Sequence, residues 1–497
     1  MTQDSSSIQN VVDRVEVEAV NSKAKRSLYT SRKKIFPKRA SGSFRLFKWW
    51  VMAVTLAIYY VTPWLRWDRG EFAPNQAVLV DLDVGRFYFF FITIWPQELY
   101  YIAGLLIMAG VGLFLVTSTV GRAWCGYTCP QTVWVDLYLW IERWIEGDRN
   151  ARIKLDNGAW SGEKLFKRIA KHVIWLFVGL ITGGAWVFYF ADAPTLAVDL
   201  VTGKASSIAY STIGVMTAIT YVFAGFMREQ VCTYMCPWPR IQGAMLDDRS
   251  LVVTYNDWRG EPRSRHQKNT DIAAQSGDCI DCNQCVVVCP MGIDIRDGQQ
   301  MECITCALCI DACNGVMEKI GRPINLISYA TLNDYKANVK GDTITTTWRS
   351  FIHGRTVIYS AIMVIAALLL VYVLAIRSLV DVSVLHNRNP VYTLLSDGSI
   401  RNGYVVKVLN KKFNIQQFSV SVSGITGLKM RIAGAKTDIQ TELVLEVPAN
   451  GLETVQLYIS AKTSALNAEQ NSFQFIVEDR DTSEKVIYDA VFYQAKK

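Results

Sequence analysis

Three absences limit what this chain can be. It has only four histidines, which show no paired spacing across two apolar segments, so we assign no haem and interpret His172, His266, His353 and His386 as ordinary interface or surface residues. No cysteine follows Cys313, which excludes a disulfide framework from the C-terminal part. No cleavable signal peptide is visible, because the N-terminus is polar and the first apolar run begins too late.

The remaining composition is that of a membrane protein with several domains. The 497 residues are 51% hydrophobic and include 15 tryptophans, too apolar for an ordinary soluble protein. Between Lys23 and Lys48 there are ten Lys or Arg residues and no acid, directly before an apolar run. Such a block can bind nucleic acid, but beside a membrane segment it indicates a cytoplasmic anchor. We therefore expect no nucleic-acid partner and a disordered basic N-terminus over 1–43.

Apolar segments predict an α-helical bundle of about five membrane spans. The stretch 87–95 before the second span is interpreted as an interfacial or re-entrant piece. Glu98 could be a proton or ion site, but an interfacial carboxylate that touches water is the preferred interpretation. An amphipathic helix over about 133–145 is expected to lie on the membrane surface. The predicted spans are 49–65, 99–120, 172–191, 207–227 and 356–376.

The distribution of Lys and Arg predicts the orientation of these spans. The N-terminal segment and the loops after the second and fourth spans are basic, so they should face the cytoplasm. The loops after the first and third spans are poor in Lys and Arg. The predicted regions are therefore 44–237 with four spans, 238–355 in the cytoplasm, a fifth span over 356–376, and 377–497 outside.

Eight cysteines between Cys279 and Cys313 form the densest chemical signal. Both halves have the C-x2-C-x2-C-x3-C spacing of bacterial two-cluster ferredoxins, in which the fourth cysteine of each run binds the other cluster. A cytoplasmic location would keep these thiols reduced. The predicted ligands are Cys279, Cys282, Cys285 and Cys313 for the first 4Fe–4S cluster and Cys303, Cys306, Cys309 and Cys289 for the second.

Two other uses of these cysteines fit less well. A structural zinc site would need two pairs separated by a longer gap. Disulfides do not explain two copies of one spacing. One departure from the ferredoxin pattern is that Pro290 follows the first run whereas Asn314 follows the second, which puts only the local turn there in doubt.

A second group comprises two matched pairs of cysteines. Each pair is C-x3-C followed by proline, at the cytoplasmic end of a span. On an α-helix such positions share one face, and the proline would end or kink the helix. A single pair would be interpreted as small apolar residues, but two matched pairs suggest a weak internal repeat whose thiols face each other and suit a soft metal such as Cu(I). The pairs are Cys125 with Cys129 and Cys232 with Cys236.

Beyond about residue 380 the apolar pattern changes to period two. Examples are 404–408, 418–422, 443–447, 455–459 and 473–477, separated by turn signals such as Asp397-Gly398 and Asn402-Gly403. About seven short strands predict an immunoglobulin-like β-sandwich. It contains no catalytic motif, so we expect it to bind a partner or to cap the assembly.

Together these motifs resemble the FixG/RdxA/CcoG family of cytochrome oxidase accessory proteins, which is related to the NapH-type polyferredoxins. The resemblance covers essentially the whole chain, including a C-terminal immunoglobulin-like domain found in FixG-type members. It implies assembly of the cbb3-type cytochrome c oxidase by reduction of Cu(II) to Cu(I). It depends on the ferredoxin runs and on Trp95-Pro-Gln, Trp124-Cys-Gly-Tyr-Thr-Cys-Pro-Gln131, Arg228-Glu-Gln-Val-Cys232 and Tyr234-Met-Cys-Pro237.

The resulting prediction is a multi-pass cupric reductase of the bacterial inner membrane. Its cofactors would be two 4Fe–4S clusters and copper, with the paired cysteines as catalytic copper ligands. Expected partners are membrane lipid, an electron donor, a copper transporter or chaperone, oxidase assembly factors and a second copy of the chain in a homodimer. The alternatives are a quinol-linked electron-transfer subunit of NapH type, a non-enzymatic assembly scaffold, and paired thiols that hold another iron–sulfur cluster.

Overall fold

The computed structural model describes residues 14–21, 33–263, 277–342, 352–434 and 440–494. The chain forms two compact units. The first comprises Met1–Leu65 and Ala77–Leu370, and the second comprises Arg66–Gln76 and Val371–Lys497. All twelve cysteines belong to the first unit.

Five helices in the described residues are long and apolar enough to cross a membrane, as the sequence predicts. The first begins at Ser43, earlier than expected. Hydropathy excludes Arg45 and Lys48 from a span, but both side chains are buried because they face Asp136, at 2.9 and 3.9 Å. The five helices are Ser43–Trp64, Pro96–Val120, Gly162–Val187, Ser207–Met227 and Gly354–Ala375.

Shorter helices connect these spans. The predicted amphipathic helix is present as Pro130–Glu146. Trp140 and Trp144 are exposed on it, whereas Tyr138 and Ile141 are buried, as amphipathicity requires. Its position relative to a membrane stays a prediction. Further α-helices in the described residues are Arg149–Asn157, Ala193–Thr202, Trp238–Met245, Asp257–Gly260, Gln284–Val287, Leu308–Lys319 and Leu332–Val339.

The apolar stretch 87–95 forms strands, which the sequence analysis did not predict, and its interpretation as an interfacial or re-entrant piece stays a prediction. It supplies most of β2 (Arg86–Phe89) and all of β3 (Ile92–Ile94), which pair antiparallel, and β2 also pairs with β1 (Val78–Asp81). Tyr88 of the central strand is buried. Aromatic and β-branched residues favour strands, but hydrophobicity alone does not distinguish a short buried strand from a buried helical segment.

Glu98 is buried, contrary to the prediction that it touches water. Its exposed fraction is 3%, and Oε2 accepts a hydrogen bond from the backbone amide of Trp95 at 3.2 Å. This contact closes the short turn Pro96–Glu98 at the start of the second span. A carboxylate that caps a helix entrance in this way has a structural role.

Part of the N-terminal segment 1–43 is ordered, although disorder was predicted. The backbone amide of Val15 donates to the Cys282 carbonyl at 3.3 Å, and the Asn283 side chain donates to the Val15 carbonyl at 2.9 Å. A Cβ on Gly292 would lie 2.6 Å from Cδ1 of Ile35, so the chain also packs closely there. Composition does not reveal such long-range contacts. The segments 1–13 and 22–32 lie outside the described residues.

A two-stranded sheet and a long helix frame the cysteine-rich run. β4 (Val252–Tyr255) pairs with β5 (Ile327–Ala330). Helix Leu308–Lys319 continues through Asn314, whose Oδ1 accepts from the Asn325 amide at 2.8 Å. The local turn therefore does differ between the two runs. Without a proline the helix continues, whereas the helix in the first run ends before Pro290.

The second unit contains the β-sandwich that the period-two pattern predicts. Its described residues form nine strands: β6 (Val380–His386), β7 (Thr393–Leu394), β8 (Ser399–Asn410), β9 (Gln416–Ser423), β10 (Lys429–Ile432), β11 (Glu442–Val447), β12 (Gly451–Lys462), β13 (Gln470–Asp479) and β14 (Lys485–Tyr493). One sheet has the order β10-β12-β8-β6 with β7 beside β8, and the other has the order β11-β9-β13-β14. Val406, Phe418 and Phe475 are fully buried between them.

One of the two predicted turns is misplaced. Gly398 turns the chain before β8 with a φ of +78°, as expected. Asn402-Gly403 instead lies inside β8. The Asn402 side chain is fully buried, where it donates to the Tyr493 carbonyl at 2.9 Å and accepts from the Tyr493 amide at 3.2 Å. A long-range contact thus takes the place of the local turn.

Candidate metal centres

The first cysteine of each pair lies in a turn of π-helix and the second directly follows that turn, whereas an α-helical turn was predicted. The first π-turn is Trp124–Thr128, closed by the amide of Cys129 at 2.9 Å. The second is Val231–Met235, closed by the amide of Cys236 at 2.8 Å. Both hydrogen bonds span five residues, which widens the turn. Such π-turns are rare and frequently occur at functional sites.

The chain enters both π-turns in the same way. Gly121 follows the second span with a φ of +60°, and Arg228 follows the fourth with a φ of +42°. A positive φ suits glycine but is strained for arginine. Arg228 is anchored by Glu142 at 2.9 Å and by the carbonyl of Gly225 at 2.8 Å, which offset this strain. The shared geometry supports the internal repeat.

The two π-turns bring the four paired thiols side by side, as the repeat predicts. Burial, with contributions from the nearby thiols of Cys129, Cys125 and Cys236, raises the pKa of Cys232 to about 12. Burial also raises the pKa of Cys125 to about 11, again with contributions from Cys129 and Cys236. The pairs therefore share one electrostatic environment.

The four paired thiols lie near one another, but their sulfur atoms are not arranged as the ligands of a metal ion. All twelve cysteines are free. Among the described residues, no three His, Cys, Asp or Glu side chains are arranged to hold a metal ion. Thiols must lose their protons to bind a metal, so binding would draw the sulfurs together and release protons. The copper ligands and the cluster ligands stay predictions.

Cys129 has backbone groups that favour its thiolate. It is the N-cap of helix Pro130–Glu146. Burial raises the pKa of its thiol, but hydrogen bonds from the amides of Thr132 and Gln131 oppose this effect. Cysteines at helix N-termini ionise more readily for the same reason.

Gln242 positions the other thiol of the first pair. Its side chain is fully buried, and Oε1 accepts a hydrogen bond from the Cys125 thiol at 3.1 Å. Nε2 donates to Oγ1 of Thr117 at 3.3 Å, which fixes the orientation of the amide. The second span thus orients Gln242, and helix Trp238–Met245 presents this side chain to Cys125.

The first π-turn packs directly against the second cysteine run. A Cβ on Gly126 would lie 2.6 Å from the Ile304 carbonyl oxygen and 3.1 Å from the Cys306 Cα. The Tyr127 hydroxyl donates to the Cys306 carbonyl at 3.2 Å. Cys125 and Cys306 belong to the same buried apolar cluster. Only glycine permits this close approach.

The backbone of the two cysteine runs is the same at equivalent positions. φ is positive at Asp281 and Asn283 in the first run and at Thr305 and Ala307 in the second. Alternating φ signs direct backbone amides into the concave nests found at many iron–sulfur sites. Four strained non-glycine residues in matching places indicate that this geometry has a function.

The sulfur atoms are grouped in the crossing pattern of the predicted ligand sets. Cys313 lies among the thiols of the first run, and Cys289 lies among those of the second. A small cavity is lined by all four thiols of the second group and by Cys285 of the first. The donor chemistry and grouping therefore fit two 4Fe–4S clusters. The groups are Cys279, Cys282 and Cys285 with Cys313, and Cys303, Cys306 and Cys309 with Cys289.

Buried ion pairs hold the amphipathic helix beside the paired thiols. Glu142 lies 2.9 Å from both Arg152 and Arg228, and Glu146 lies 2.9 Å from Lys171. Burial acts to raise the pKa of Glu142, but Arg228, Arg152 and Lys171 outweigh it and lower the pKa to about 2. Truncation of one partner would leave an uncompensated buried charge, so these pairs fix the helix in place.

The three described histidines contact polar side chains. The contacts are His172 with Tyr221 at 3.0 Å, His353 with Asp247 at 3.5 Å, and His386 with Asn402 at 3.0 Å. His266 lies outside the described residues.

Sequence reasoning missed Arg122 and Gln242 as residues of the site. A basic residue shortly before each pair, Arg122 and Arg228, was a signal that could have been noticed. Gln242 has no such signal, because it reaches Cys125 only through the packing of separate helices.

Three known families match parts of the chain. A "4Fe-4S dicluster domain" matches residues 227–332, and a "4Fe-4S binding domain" matches residues 102–149. An "IG-like fold at C-terminal of FixG, putative oxidoreductase" matches residues 370–494. The chain thus carries 4Fe–4S-binding domains and an immunoglobulin-like C-terminal domain, and the match over 102–149 includes Cys125 and Cys129.

Curated relatives match nearly the whole chain. "Nitrogen fixation protein FixG" of Rhizobium meliloti is 54% identical over 97% of this chain and 97% of its own length. "Protein RdxB" of Cereibacter sphaeroides is 53% identical over 94% of this chain and 97% of its own length. "Protein RdxA" of the same organism is 53% identical over 87% and 90%.

Among solved structures, a FixG-related protein from Vibrio parahaemolyticus is 20% identical, with a TM-score of 0.20, and covers 24% of this chain and 98% of its own. The family of this chain is shown by the curated relatives, whose sequence identity and coverage are far higher than those of the Vibrio parahaemolyticus structure. The chain belongs to the FixG/RdxA/RdxB family of iron–sulfur proteins.

Proposed function

We propose that this protein reduces Cu(II) to Cu(I) for assembly of a cbb3-type cytochrome c oxidase, and that the four paired cysteines hold the copper. The observation that carries the proposal is the contact between the first π-turn and the second cysteine run. Gly126 approaches Ile304 and Cys306 so closely that no side chain fits between them. The backbone next to Cys125 therefore contacts the backbone that carries Cys306 directly.

The residues of the paired-thiol site suit Cu(I) better than Cu(II). Four thiolates are soft ligands and stabilise the reduced ion. The helix start at Gln131 and Thr132 favours the thiolate of Cys129, and Gln242 orients Cys125. Each Cu(II) takes up one electron, supplied by a cytoplasmic donor. Bound 4Fe–4S clusters supply electrons singly, so the thiols are not consumed as a disulfide.

The proposal is tested on full-length protein purified without oxygen. We expect about eight irons per chain, as two 4Fe–4S clusters, and copper at the paired thiols. After reduction and removal of excess reductant, added Cu(II) should oxidise the clusters, and a chelator should trap an equal number of Cu(I) ions. Zinc in place of iron, or clusters that stay reduced when Cu(II) is added, would contradict the proposal. A quinol-linked electron-transfer subunit would bind no copper at the paired thiols.

One observation favours a second candidate function for the same cysteines. The "4Fe-4S binding domain" match over 102–149 includes only Cys125 and Cys129 among its cysteines. Joined by Cys232 and Cys236, these could hold a further iron–sulfur cluster in an electron-transfer protein. Metal analysis of the same sample separates the candidates, because a third cluster would raise the iron content to about twelve per chain and exclude copper from the thiols.

We also propose that the cysteine-rich domain faces the cytoplasm and the β-sandwich faces the periplasm. The support is the excess of Lys and Arg in the segments that join the five apolar helices on one side. A reporter that is active only in the periplasm should give signal when fused after Lys497 and none when inserted at Asn269. The reverse pattern would overturn the orientation and, with it, a cytoplasmic source of electrons.

A further inference from the structure

The side chain of Arg122 lies between the two groups of cysteines. It follows Gly121, whose φ of +60° turns the chain from the second span into the first π-turn. Its exposed fraction is 5%. One Nη donates to the carbonyl oxygen of Met301, two residues before Cys303. The guanidinium is thus fixed to the second cysteine run, although Arg122 itself belongs to the segment that carries Cys125.

The ionisable side chains on which the charge of Arg122 acts include three thiols. Its positive charge acts on the thiols of Cys125, Cys232 and Cys303. Within the described part of the chain, no acidic side chain comes within 4.0 Å of its guanidinium nitrogens, and its Nε has no hydrogen-bond partner. Among the described residues, Arg122 is therefore a buried cation that forms no ion pair with a carboxylate, although the buried Glu302 acts on the same Cys303 thiol with the opposite sign.

Arg228 shows that this arrangement is specific to the first pair. It occupies the matching place before the second π-turn, but it is neutralised by Glu142 at 2.9 Å. A buried charge without a partner is costly. Thiols that ionise when they bind a metal would supply the missing negative charge beside Arg122.

We propose that Arg122 is a positioning residue that serves as a shared positive counter-charge for the paired-thiol site and for the cysteine run that contains Cys303. The effect of Arg122 on Cu(I) binding rests on the proposed function. Its effect on the reduction potential of a cluster at the second run does not. At the paired thiols the charge stabilises the thiolates that hold Cu(I). At the second run it favours the more negative, reduced state of a bound cluster and so raises its reduction potential.

Two substitutions separate charge from hydrogen bonding. Arg122→Gln removes the charge but keeps an amide that can donate to the Met301 carbonyl, whereas Arg122→Lys keeps the charge. Arg240→Gln removes an exposed arginine from helix Trp238–Met245 and serves as the matched control. Each full-length variant is compared with wild type by iron content, by competition of a Cu(I) chelator for bound copper, and by redox titration of the clusters.

We expect Arg122→Gln to weaken Cu(I) binding by about tenfold to a hundredfold, the size of effect expected when one of two nearby unit charges is removed from a partly buried site. It should also move the midpoint potential of one cluster to a lower value, while Arg122→Lys and Arg240→Gln stay close to wild type. The proposal is overturned if Arg122→Gln keeps both wild-type values, or if Arg122→Lys is as impaired as Arg122→Gln. If wild type holds no copper at the paired thiols, the proposed function fails, and the midpoint potentials alone decide the role of Arg122.

Discussion

Replacing Cys129 or Cys236 by serine should abolish the reduction of added Cu(II) while both ferredoxin-type clusters stay intact. Serine is nearly isosteric with cysteine, but its hard, protonated oxygen is a poor ligand for Cu(I). The clusters should survive because all of their predicted ligands lie between Cys279 and Cys313. Loss of one thiolate from either pair should suffice, because the four thiols share one environment. The measurements are chelator-trapped Cu(I) and iron–sulfur absorbance in the visible range.

Threonine-to-serine substitutions next to the predicted ligands provide the controls. Thr128→Ser and Thr233→Ser alter the same two π-turns by one methyl group each and keep the hydroxyls that bond to backbone carbonyls, so these variants should reduce copper normally. Cys282→Ser should show the converse pattern, in which a cluster is impaired and reduction slows while the paired thiols still bind Cu(I). A wild-type rate in both Cys129→Ser and Cys236→Ser would remove the pairs as the copper site and leave the quinol-linked electron-transfer protein as the leading interpretation.

Features encoded by local patterns could be predicted from the sequence. The crossing arrangement of Cys289 and Cys313 follows from the spacing of the two runs, and the structure groups their thiols accordingly. The five apolar helices follow from runs of hydrophobic residues, because a bilayer sets a minimum length. The strands of the sandwich follow from the alternation of apolar and polar residues, as in β13, where Phe473 and Phe475 are buried and Gln474 between them is exposed.

Features that depend on distant contacts could not be predicted. C-x3-C followed by proline fits an α-helical turn as well as the observed π-turns, since only the hydrogen-bond partner of Cys129 distinguishes them. Arg45 and Lys48 appear too polar for a span until Asp136 is known to face them. The ordered N-terminal segment depends on backbone hydrogen bonds such as that from Val15 to Cys282, which leave no compositional trace. The electrostatic framework of the site therefore emerges only in the folded chain.

Gly126→Ala should slow copper reduction by on the order of tenfold to a hundredfold, because it separates the paired-thiol site from the second cysteine run. The new Cβ would lie 2.6 Å from the Ile304 carbonyl oxygen, which is shorter than contacts tolerated in proteins, and backbone on either side must move. A displacement of about 1 Å between reacting groups can cost a factor of this size. Gly126 does not have a positive φ, so the effect is steric rather than conformational.

This substitution leaves every sulfur ligand in place, so binding and electron transfer can be measured separately. Iron content and Cu(I) affinity should stay near wild type, whereas the rate at which Cu(II) oxidises reduced clusters should fall. Gly243→Ala is the matched control, because Gly243 lies on the neighbouring helix Trp238–Met245 next to Gln242, where an added Cβ meets no atom within 4 Å. An unchanged rate in Gly126→Ala would mean that electrons do not cross this contact. The contact between the first π-turn and the second cysteine run would then no longer support the proposed function.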